Sequence, residues 1–173
     1  MSGSVWSFPA PLISERLLLR GHREEDLDDL VVFHGDEEVT RHTPWPTRTR
    51  AQTSEALTHR IGQRTAASTG EAIVVAVQER RSGTVVGEVM LLRQSDDEAV
   101  LGYALRRDRW GRGLAAEAAR TVLEAGIDAF GLRRITAVVV PANAASISVL
   151  GKLGFVEVAR SPERVTFAHA VDR

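Results

Sequence analysis

A glycine-containing turn is the segment of this chain best suited to chemistry. Gly111 and Gly113 stand in LRRDRWGRGLAAEAAR, between the end of a predicted strand and the start of a predicted helix. The N–H groups of a helix start have no partner within the helix and carry the positive end of its dipole. Glycines let a phosphate approach these groups closely, and Arg112 adds a mobile charge. The pattern predicts a phosphate-binding turn; the alternative is that the glycines only close a tight connection.

Two common types of phosphate loop fit this segment poorly. A loop for nucleotide hydrolysis ends in Gly-Lys-Ser/Thr, but Leu114 and Ala115 follow Gly113. Residues 111–116 do match the dinucleotide pattern G-x-G-x-x-A. That pattern usually follows the first strand of a fold and expects an acidic residue at the end of the next strand, where this chain has Pro141-Ala142-Asn143. The sequence therefore favours neither nucleotide hydrolysis nor dinucleotide binding.

The turn belongs to a succession of elements that hydrophobic periodicity predicts as β-α-α-β-β-β-α-β-α-β-β. The strands are expected at 14–20, 72–79, 85–94, 99–106, 135–140, near 155–159 and near 165–171. The helices are expected at 23–34, 51–65, 114–130 and 144–153. A run of strands followed by a strand–helix–strand crossover implies a mixed sheet with helices on both faces.

The remaining segments are predicted to be irregular. Residues 35–50 are polar and interrupted by Pro44 and Pro46, so they should be mostly loop, and loops of this length are often functional. Residues 1–11 look like a loose N-terminal arm. No stretch has the composition of an interdomain linker, so residues 1–173 are expected to form a single domain.

Two blocks of sequence resemble the Gcn5-related N-acetyltransferases. Residues 110–115, WGRGLA, are similar to the family's pyrophosphate loop Gln/Arg-x-x-Gly-x-Gly/Ala, with Gly113 and Ala115 at its small positions. Residues 143–155 are similar to the family's N-x-x-S…K-x-G-F, and the two blocks have the family's order and separation. Within the superfamily, LGYALRRDRWGRGLAAEA most resembles the ribosomal-protein alanine acetyltransferase branch.

The resemblance implies an α/β fold of the acyl-CoA N-acyltransferase type. Its central sheet would be mixed but mostly antiparallel, with about seven strands and about four flanking helices. It also implies transfer of an acetyl group from acetyl-CoA, as co-substrate, to a primary amine by direct attack. Protein N-termini and small-molecule amines both remain open as acceptors. The alternative is a non-catalytic module that binds acyl-CoA and senses it or presents a surface to a partner.

The resemblance also implies which residues bind acetyl-CoA. The turn would bind the pyrophosphate, and the pantetheine arm would pair with the free edge of the strand at 102–106. The edge arises in the family because this strand diverges from the next one. Asn143 reads from the sequence as a helix N-cap, and the resemblance adds a contact with CoA. The expected binding residues are Leu105, Arg106, Trp110, Gly111, Arg112, Gly113, Leu114, Ala115 and Asn143.

Attack on a thioester requires a neutral amine, so the cleft should hold a proton acceptor. Glu88, in the second strand of the central hairpin, is the first candidate, although a strand glutamate is more commonly a surface residue. Glu98, His34, His42 and a chain of water molecules are alternatives.

Departure of the thiolate calls for a proton donor. The resemblance assigns this role to Ser146, whereas a serine at this place could instead bond its own helix backbone. Many members of the superfamily carry a tyrosine acid at the position of Leu150, so the role must lie elsewhere in this chain.

Composition excludes several other classes of protein. With 22 basic and 23 acidic residues the net charge is −1, which does not favour nucleic acid. The chain has no cysteine, which removes disulfides, thiolate metal sites and cysteine nucleophiles, and no metal is expected. Lys152 is its one lysine. Neither a leader sequence nor a membrane-spanning apolar run is apparent, so a cytoplasmic protein is expected. Whether it forms a homodimer stays open.

Overall fold

The hairpin predicted at 72–94 lies at the centre of the sheet. The computed structural model describes residues 4–172. The strands are β1 (Trp6–Ser7), β2 (Leu12–Ile13), β3 (Leu17–Arg20), β4 (Thr65–Ala66), β5 (Ala72–Glu79), β6 (Val85–Arg93), β7 (Glu98–Leu105), β8 (Arg134–Val139), β9 (Val156–Arg160) and β10 (Val165–Ala170). The α-helices are α1 (Leu27–His34), α2 (Glu37–Thr40), α3 (Arg50–Gly62), α4 (Leu114–Phe130) and α5 (Ala144–Lys152), and short 3₁₀ turns occupy Glu24–Asp26 and Arg107–Arg109.

Within residues 4–172, eight strands form one sheet in the order β2-β3-β5-β6-β7-β8-β10-β9. Every neighbouring pair is antiparallel except β7 and β8, which run parallel. The prediction of a mixed, mostly antiparallel sheet flanked by helices is therefore confirmed. The sheet exceeds the expected number of about seven strands because the two-residue β2 extends its edge.

Helices cover both faces of the sheet, and β5 shows which helix covers which face. Consecutive strand residues point to opposite sides. Val75 packs into the larger core cluster with Leu123 of α4, whereas Ala76 packs with Leu30 of α1 in the smaller one. We call these sides the α4 face and the α1 face. Helix α5 joins the α4 face and helix α3 joins the α1 face.

Helix α4 has the predicted bounds, and a glycine at each end explains them. Gly113 has φ +76° and precedes the first residue, while Gly131 has φ +66° and follows the last one. The Gly131 N–H donates to the Ile127 carbonyl, which ends the helix. Residues with a side chain rarely adopt this left-handed conformation, so the two glycines define the helix.

The N-terminal segment differs from its prediction. Residues 1–3 lie outside the described chain. Trp6 is fully buried in β1, which pairs with β4, and its ring stacks on Phe130 with the centroids 5.0 Å apart. The guanidinium of Arg93 lies 5.0 Å from the centre of the same ring. The prediction of a loose arm was therefore wrong at Trp6, because this side chain buries a large apolar area against α4.

The polar segment at 35–50 also contains more structure than expected. Asp36 accepts a hydrogen bond from the Glu38 N–H and begins the one-turn helix α2. Thr49 and Gln52 form a reciprocal capping box that begins α3. Residues 41–49 remain irregular, and we call them the 41–49 loop.

None of the helices within residues 4–172 combines the length and apolar character needed to span a membrane.

Candidate functional site

The predicted phosphate turn is held in place by contacts on both sides. The Trp110 indole N–H donates to the Leu105 carbonyl at 2.9 Å, which folds the turn back onto the end of β7. Arg109 contacts Glu79 at 2.7 Å and so ties the turn to β5. Gly111 has φ +74°, and a Cβ added there would meet no atom of residues 4–172 within 4 Å. The turn is thus open to solvent on the side where a ligand would approach.

The amides of this turn are free to bind an anion. The first hydrogen bond of α4 runs from the Glu117 N–H to the Gly113 carbonyl. Within the described chain, none of the N–H groups of residues 111–116 donates to a protein acceptor. These groups lie at the positive end of a helix of 17 residues. Their number and direction suit the pyrophosphate of a nucleotide-like ligand.

An acidic residue in the first turn of α4 would oppose anion binding, but its charge is compensated. The Glu117 carboxylate accepts hydrogen bonds from the Ser14 hydroxyl and from the Arg16 N–H and Nε, at 2.7 to 2.8 Å. Burial alone would raise the pKa of Glu117, but the bonds from Ser14 and Arg16 outweigh it and lower that pKa. Arg16 also donates to the Arg112 carbonyl at 2.9 Å. Sequence reasoning missed Arg16, which lies 101 residues from Glu117 in the chain.

The separation of β7 from β8 opens a cleft beside the turn. The two strands pair only at Glu98, Ala99 and Val100, after which β8 pairs with β10 alone. Residues 101–105 of β7 therefore keep a strand partner only on the β6 side. The cleft has a volume of about 560 Å³ and extends from the first turns of α4 and α5 to α2 and the start of the 41–49 loop.

The first turn of α5 forms one wall of the cleft. The Asn143 side chain accepts a hydrogen bond from the Ser146 N–H at 3.1 Å, so its predicted capping role is confirmed. The Ser146 hydroxyl does not bond its own backbone. It lies 2.8 Å from the hydroxyl of Tyr103, which reaches across from β7. Sequence reasoning missed Tyr103, although it is the one tyrosine of the chain and stands two residues before the end of the strand.

Burial changes the acidity of this tyrosine. Desolvation raises the pKa of Tyr103 to about 12, and the hydrogen bond with Ser146 offsets this only in part. The phenol therefore stays protonated at neutral pH and acts as a hydrogen-bond donor.

Glu88 lies on the predicted strand, but its carboxylate is buried under the cleft wall instead of facing the cleft. It is 4% exposed. His34 Nε2 lies 3.3 Å from Oε2 and Arg60 Nε lies 3.1 Å from Oε1. His22 Nε2 is 3.0 Å from Oε1, at an angle that departs from good hydrogen-bond geometry.

These contacts change the expected role of Glu88. Burial opposes ionisation, but the contacts from His22 and His34 and the charge of Arg60 outweigh it and hold the pKa of Glu88 well below its usual range. An inaccessible carboxylate with so low a pKa is a poor proton acceptor. The geometry therefore replaces our prediction for Glu88 with a positioning role, in which it ties α1 and α3 to the sheet.

The other predicted residues divide between the cleft and its surroundings. Those that line the cleft are Leu105, Trp110, Gly111, Gly113, Leu114, Ala115, Asn143 and Ser146. Arg106 is paired with Asp108 beside the turn, and the exposed Arg112 is not among the lining residues. Of the four side chains considered as proton acceptors, only His42 lines the cleft. Lys152 also lines it, at the end of α5.

No group of three or more His, Cys, Asp or Glu side chains within residues 4–172 is arranged to hold a metal ion.

Known proteins share both the sequence and the fold. Residues 16–156 match the family described as Acetyltransferase (GNAT) domain. The chain is 32% identical over 149 residues to the uncharacterized N-acetyltransferase p20 of Bacillus licheniformis, a match that covers 83% of this chain and 81% of p20. A GNAT-family acetyltransferase from Bacillus anthracis superimposes with a TM-score of 0.80 at 20% identity, over 92% of this chain and 98% of that one.

A second solved structure has the same fold. The ribosomal L7/L12 alpha-N-protein acetyltransferase RimL, in complex with coenzyme A, superimposes with a TM-score of 0.76 at 16% identity, over 94% of this chain and 98% of that one. Since the family match spans most of the sequence, the chain belongs to the GNAT acetyltransferase family. The resemblance found in the sequence is confirmed.

The two glycines that bound α4 provide a matched test of the phosphate turn. A valine at Gly113 or at Gly131 would carry a side chain in the left-handed region, at a cost of about 1–2 kcal/mol or more in unfolding free energy. Only Gly113 lies in the cleft. We expect Gly113→Val to weaken CoA binding at least about 10-fold in calorimetry, and Gly131→Val to leave it unchanged, because of the two only Gly113 lies among the free amides at the start of α4. Equal CoA affinity in both folded variants would contradict the assignment.

The Glu88 contacts predict a pH-dependent contribution to stability. Because the native pKa is lowered from about 4.5, the ionised carboxylate stabilises the fold above pH 4.5 and ceases to do so as the pH falls towards the native value. Glu88→Gln should lower the free energy of unfolding by about 2–3 kcal/mol at pH 7, since it leaves the partly buried Arg60 without its carboxylate. Urea unfolding of the wild type and the variant at pH 7 and near pH 3 measures both effects. The difference in unfolding free energy between the two proteins should be smaller at the lower pH. The control is Glu98→Gln, at an exposed position at the start of β7. If the difference between the wild type and Glu88→Gln is as large near pH 3 as it is at pH 7, the low pKa of Glu88 is refuted.

Proposed function

We propose that this protein is an acetyl-CoA-dependent N-acetyltransferase that transfers the acetyl group to a primary amine by direct attack in a ternary complex. The observation that carries the proposal is the cleft itself. It brings together the free amides of the α4 turn, the unpaired half of β7 and the Tyr103–Ser146 hydroxyl pair. Family membership and the names of relatives such as the N-acetyltransferase p20 support the same activity.

The residues present fit acetyl-CoA as the donor. The amides at 111–116 and the Arg112 side chain would bind the pyrophosphate. The backbone of β7 at residues 103–105 offers hydrogen-bonding groups that a strand-like pantetheine arm can satisfy, in the manner of strand addition. Leu114 and Ala115 supply apolar contacts at the start of α4. Acetyl-CoA is the source of the acetyl group as a thioester.

The two hydroxyls of the cleft face the departing sulfur in this proposal. Attack forms the carbon–nitrogen bond and breaks the carbon–sulfur bond, so the sulfur gains negative charge. A thiol has a pKa of about 8.5 by analogy with cysteine, whereas the pKa of Tyr103 is raised to about 12. Full proton transfer from Tyr103 would therefore be unfavourable. We assign the pair a hydrogen-bonding role, with Tyr103 donating to Ser146 and Ser146 donating to the sulfur, which takes its proton from water on release.

The amine side of the cleft offers a different set of groups. Tyr103 and Ala104 are consecutive strand residues, so they face opposite sides of β7. Tyr103 reaches α5, whereas Ala104 is paired with Glu88 on the α1 face. His42 also lines the cleft near α2, on that side. We therefore assign the proton released by the attacking amine to His42, directly or through water.

The activity is tested by thiol release. Purified protein is incubated with acetyl-CoA and a panel of amines that includes peptides with free N-termini, amino acids and polyamines. Free CoA should appear only in the presence of a suitable amine, together with the acetylated product detected by mass. Tight CoA binding with no thiol release from any amine would favour the non-catalytic alternative.

Removal of the hydroxyl pair should slow turnover without weakening donor binding. Ser146→Ala is expected to lower kcat by about 10²-fold and leave CoA affinity nearly unchanged, because the hydroxyl acts mainly as charge develops on sulfur. Tyr103→Phe should have a smaller effect. The double variant should resemble Ser146→Ala, because the two hydroxyls act as one unit. Full turnover in Ser146→Ala, with only a lower Tm, would show that the serine is structural. No tyrosine at Leu150 can mask the loss.

Replacement of His42 tests the other half of the reaction. His42→Gln should lower kcat/KM by about 10²-fold for strongly basic amines. The loss of kcat/KM should be smaller for weakly basic amines, since these are already neutral and need less help to lose a proton. His59→Gln, at an exposed position on α3, is the control. An equal deficit for amines of very different basicity would exclude His42 as the proton acceptor.

A further inference from the structure

Arg48 is a partly buried cation with no acidic partner. It lies in the 41–49 loop, and its N–H donates to the His34 carbonyl at 2.9 Å. Its Nη1 lies 3.3 Å from Nδ1 of His34. Among residues 4–172, no carboxylate oxygen lies within 4 Å of the Arg48 guanidinium. The neighbouring acidic residues are already used, since Asp36 pairs with Arg107 and Glu38 with Arg41.

Two guanidinium groups lie near one carboxylate at this place, and only one of them contacts it. Arg48 lies 5.4 Å and Arg60 lies 6.0 Å from the centre of the Trp45 ring. Glu88 pairs directly with Arg60 at 3.1 Å, so Arg48 has no carboxylate in direct contact. Burial lowers the pKa of Arg48 and the charge of Arg60 lowers it further, while the charge of Glu88 opposes this only in part. A partly buried charge that is compensated only in part is costly, and an anion bound beside it would remove that cost.

The hydrogen bonds of His34 fix the direction in which Arg48 points. Arginine can only donate, so His34 Nδ1 must accept from it. The hydrogen of the neutral ring is then on Nε2, facing Glu88 Oε2 at 3.3 Å. The chain Arg48–His34–Glu88 thus anchors one edge of the guanidinium to the sheet. Four of its five N–H donors have no partner among the described residues.

Trp45 adds a second donor of the same kind. Its indole Nε1 is buried and has no hydrogen-bond partner within the described chain. A buried N–H without an acceptor is unusual and calls for an explanation. The Trp45 indole and the Arg48 guanidinium both lack acceptors and both donate hydrogen bonds. An oxygen-rich anion is a ligand that would satisfy either of them.

This donor pair adjoins the amine side of the cleft. Thr43 is one of the residues that line the cleft, and its hydroxyl donates to the Trp45 carbonyl at 2.8 Å. Glu88, at the other end of the cluster, is the direct cross-strand partner of Ala104, which also lines the cleft. An acceptor whose amine reaches Ala104 can therefore extend towards Trp45 and Arg48.

We propose that Arg48 and the Trp45 indole bind an anionic group, a carboxylate or a phosphate, carried by the amine acceptor. The inference rests on the proposed acetyl transfer and adds a substrate class to it: amines with an anionic group a few bonds from the nitrogen. Plain alkylamines and polyamines lack that group and are disfavoured.

Matched acceptors test this inference by steady-state thiol release. ω-Amino acids of increasing length are compared with n-alkylamines of the same length, and phosphoethanolamine with ethanolamine, which separates carboxylate from phosphate. In the wild type, the better anionic acceptor should have a KM at least about 10-fold below that of its neutral counterpart, the scale of a charge-assisted hydrogen bond. Equal or lower KM for the neutral member of every pair overturns the proposal.

Variants then locate the effect. Arg48→Gln should raise KM for the anionic acceptor by about 10- to 100-fold, with kcat and the neutral counterpart nearly unchanged. Arg48→Lys keeps the charge and should recover part of the loss. The control is Arg50→Gln, two residues away and paired with the exposed Asp28. Tm and CoA affinity identify any general loss of structure. If Arg48→Gln weakens both members of a pair equally, Arg48 only supports the loop and the proposal fails.

A binding measurement keeps this test separate from that of the activity. With saturating CoA occupying the phosphate turn, inorganic phosphate and butyrate are titrated while tryptophan fluorescence is followed, and Trp45→Phe assigns the signal. A saturable change that Arg48→Gln abolishes supports the site, even if no amine releases thiol and the proposed function fails. Thiol release without any saturable change or KM preference leaves the proposed function standing and overturns the anion site.

Discussion

The early parting of β7 and β8 is the constraint on which the site depends. The strands share three residue pairs, and β8 then follows β10 while β7 follows β6. Peptide groups on the open side of β7 lose their strand partners, and leaving such a group buried and unpaired costs about 1–3 kcal/mol. The arrangement is stable only because the gap is a cleft in which water or a strand-like ligand can replace the missing neighbour. A fully closed sheet would be more regular, but it would have no room for a thioester.

Strand alternation then divides the chemistry between the two faces. Tyr103 points towards α5 and Ser146, while Ala104 points to the α1 face, where the 41–49 loop is anchored. In the proposed reaction, this one strand separates the groups assigned to the departing sulfur from those assigned to the arriving amine. Glu88 stabilises the α1 face, because its contacts with His34 and Arg60 tie both helices of that face to the sheet. Because it is buried, this central carboxylate supports the fold without lining the cleft.

Features that depend on a local sequence pattern could be predicted from the sequence. Features that depend on contacts between distant residues could not. The bounds of α4 were predicted from hydrophobic periodicity, and the Asn143 cap from its position before an apolar helix. Arg16 compensates a carboxylate 101 residues away, and Tyr103 reaches Ser146 across the gap between β7 and α5, so neither could be found by spacing. The alternation that placed Glu88 on a strand was correct. Whether the Glu88 side chain is exposed or buried depends on how α1 and α3 pack against the sheet, and no local sequence pattern indicates that packing.

The scarcity of lysine has a consequence for self-modification. Arginine side chains are not acylated by thioesters under ordinary conditions, whereas a lysine amine is. A chain that relies on arginine for its surface cations presents few competing nucleophiles of its own to a bound acyl donor. The single exception, Lys152, lies at the rim of the cleft at the end of α5. Any acetyl group found on a side-chain amine of this sequence after incubation with acetyl-CoA would therefore report on one known place.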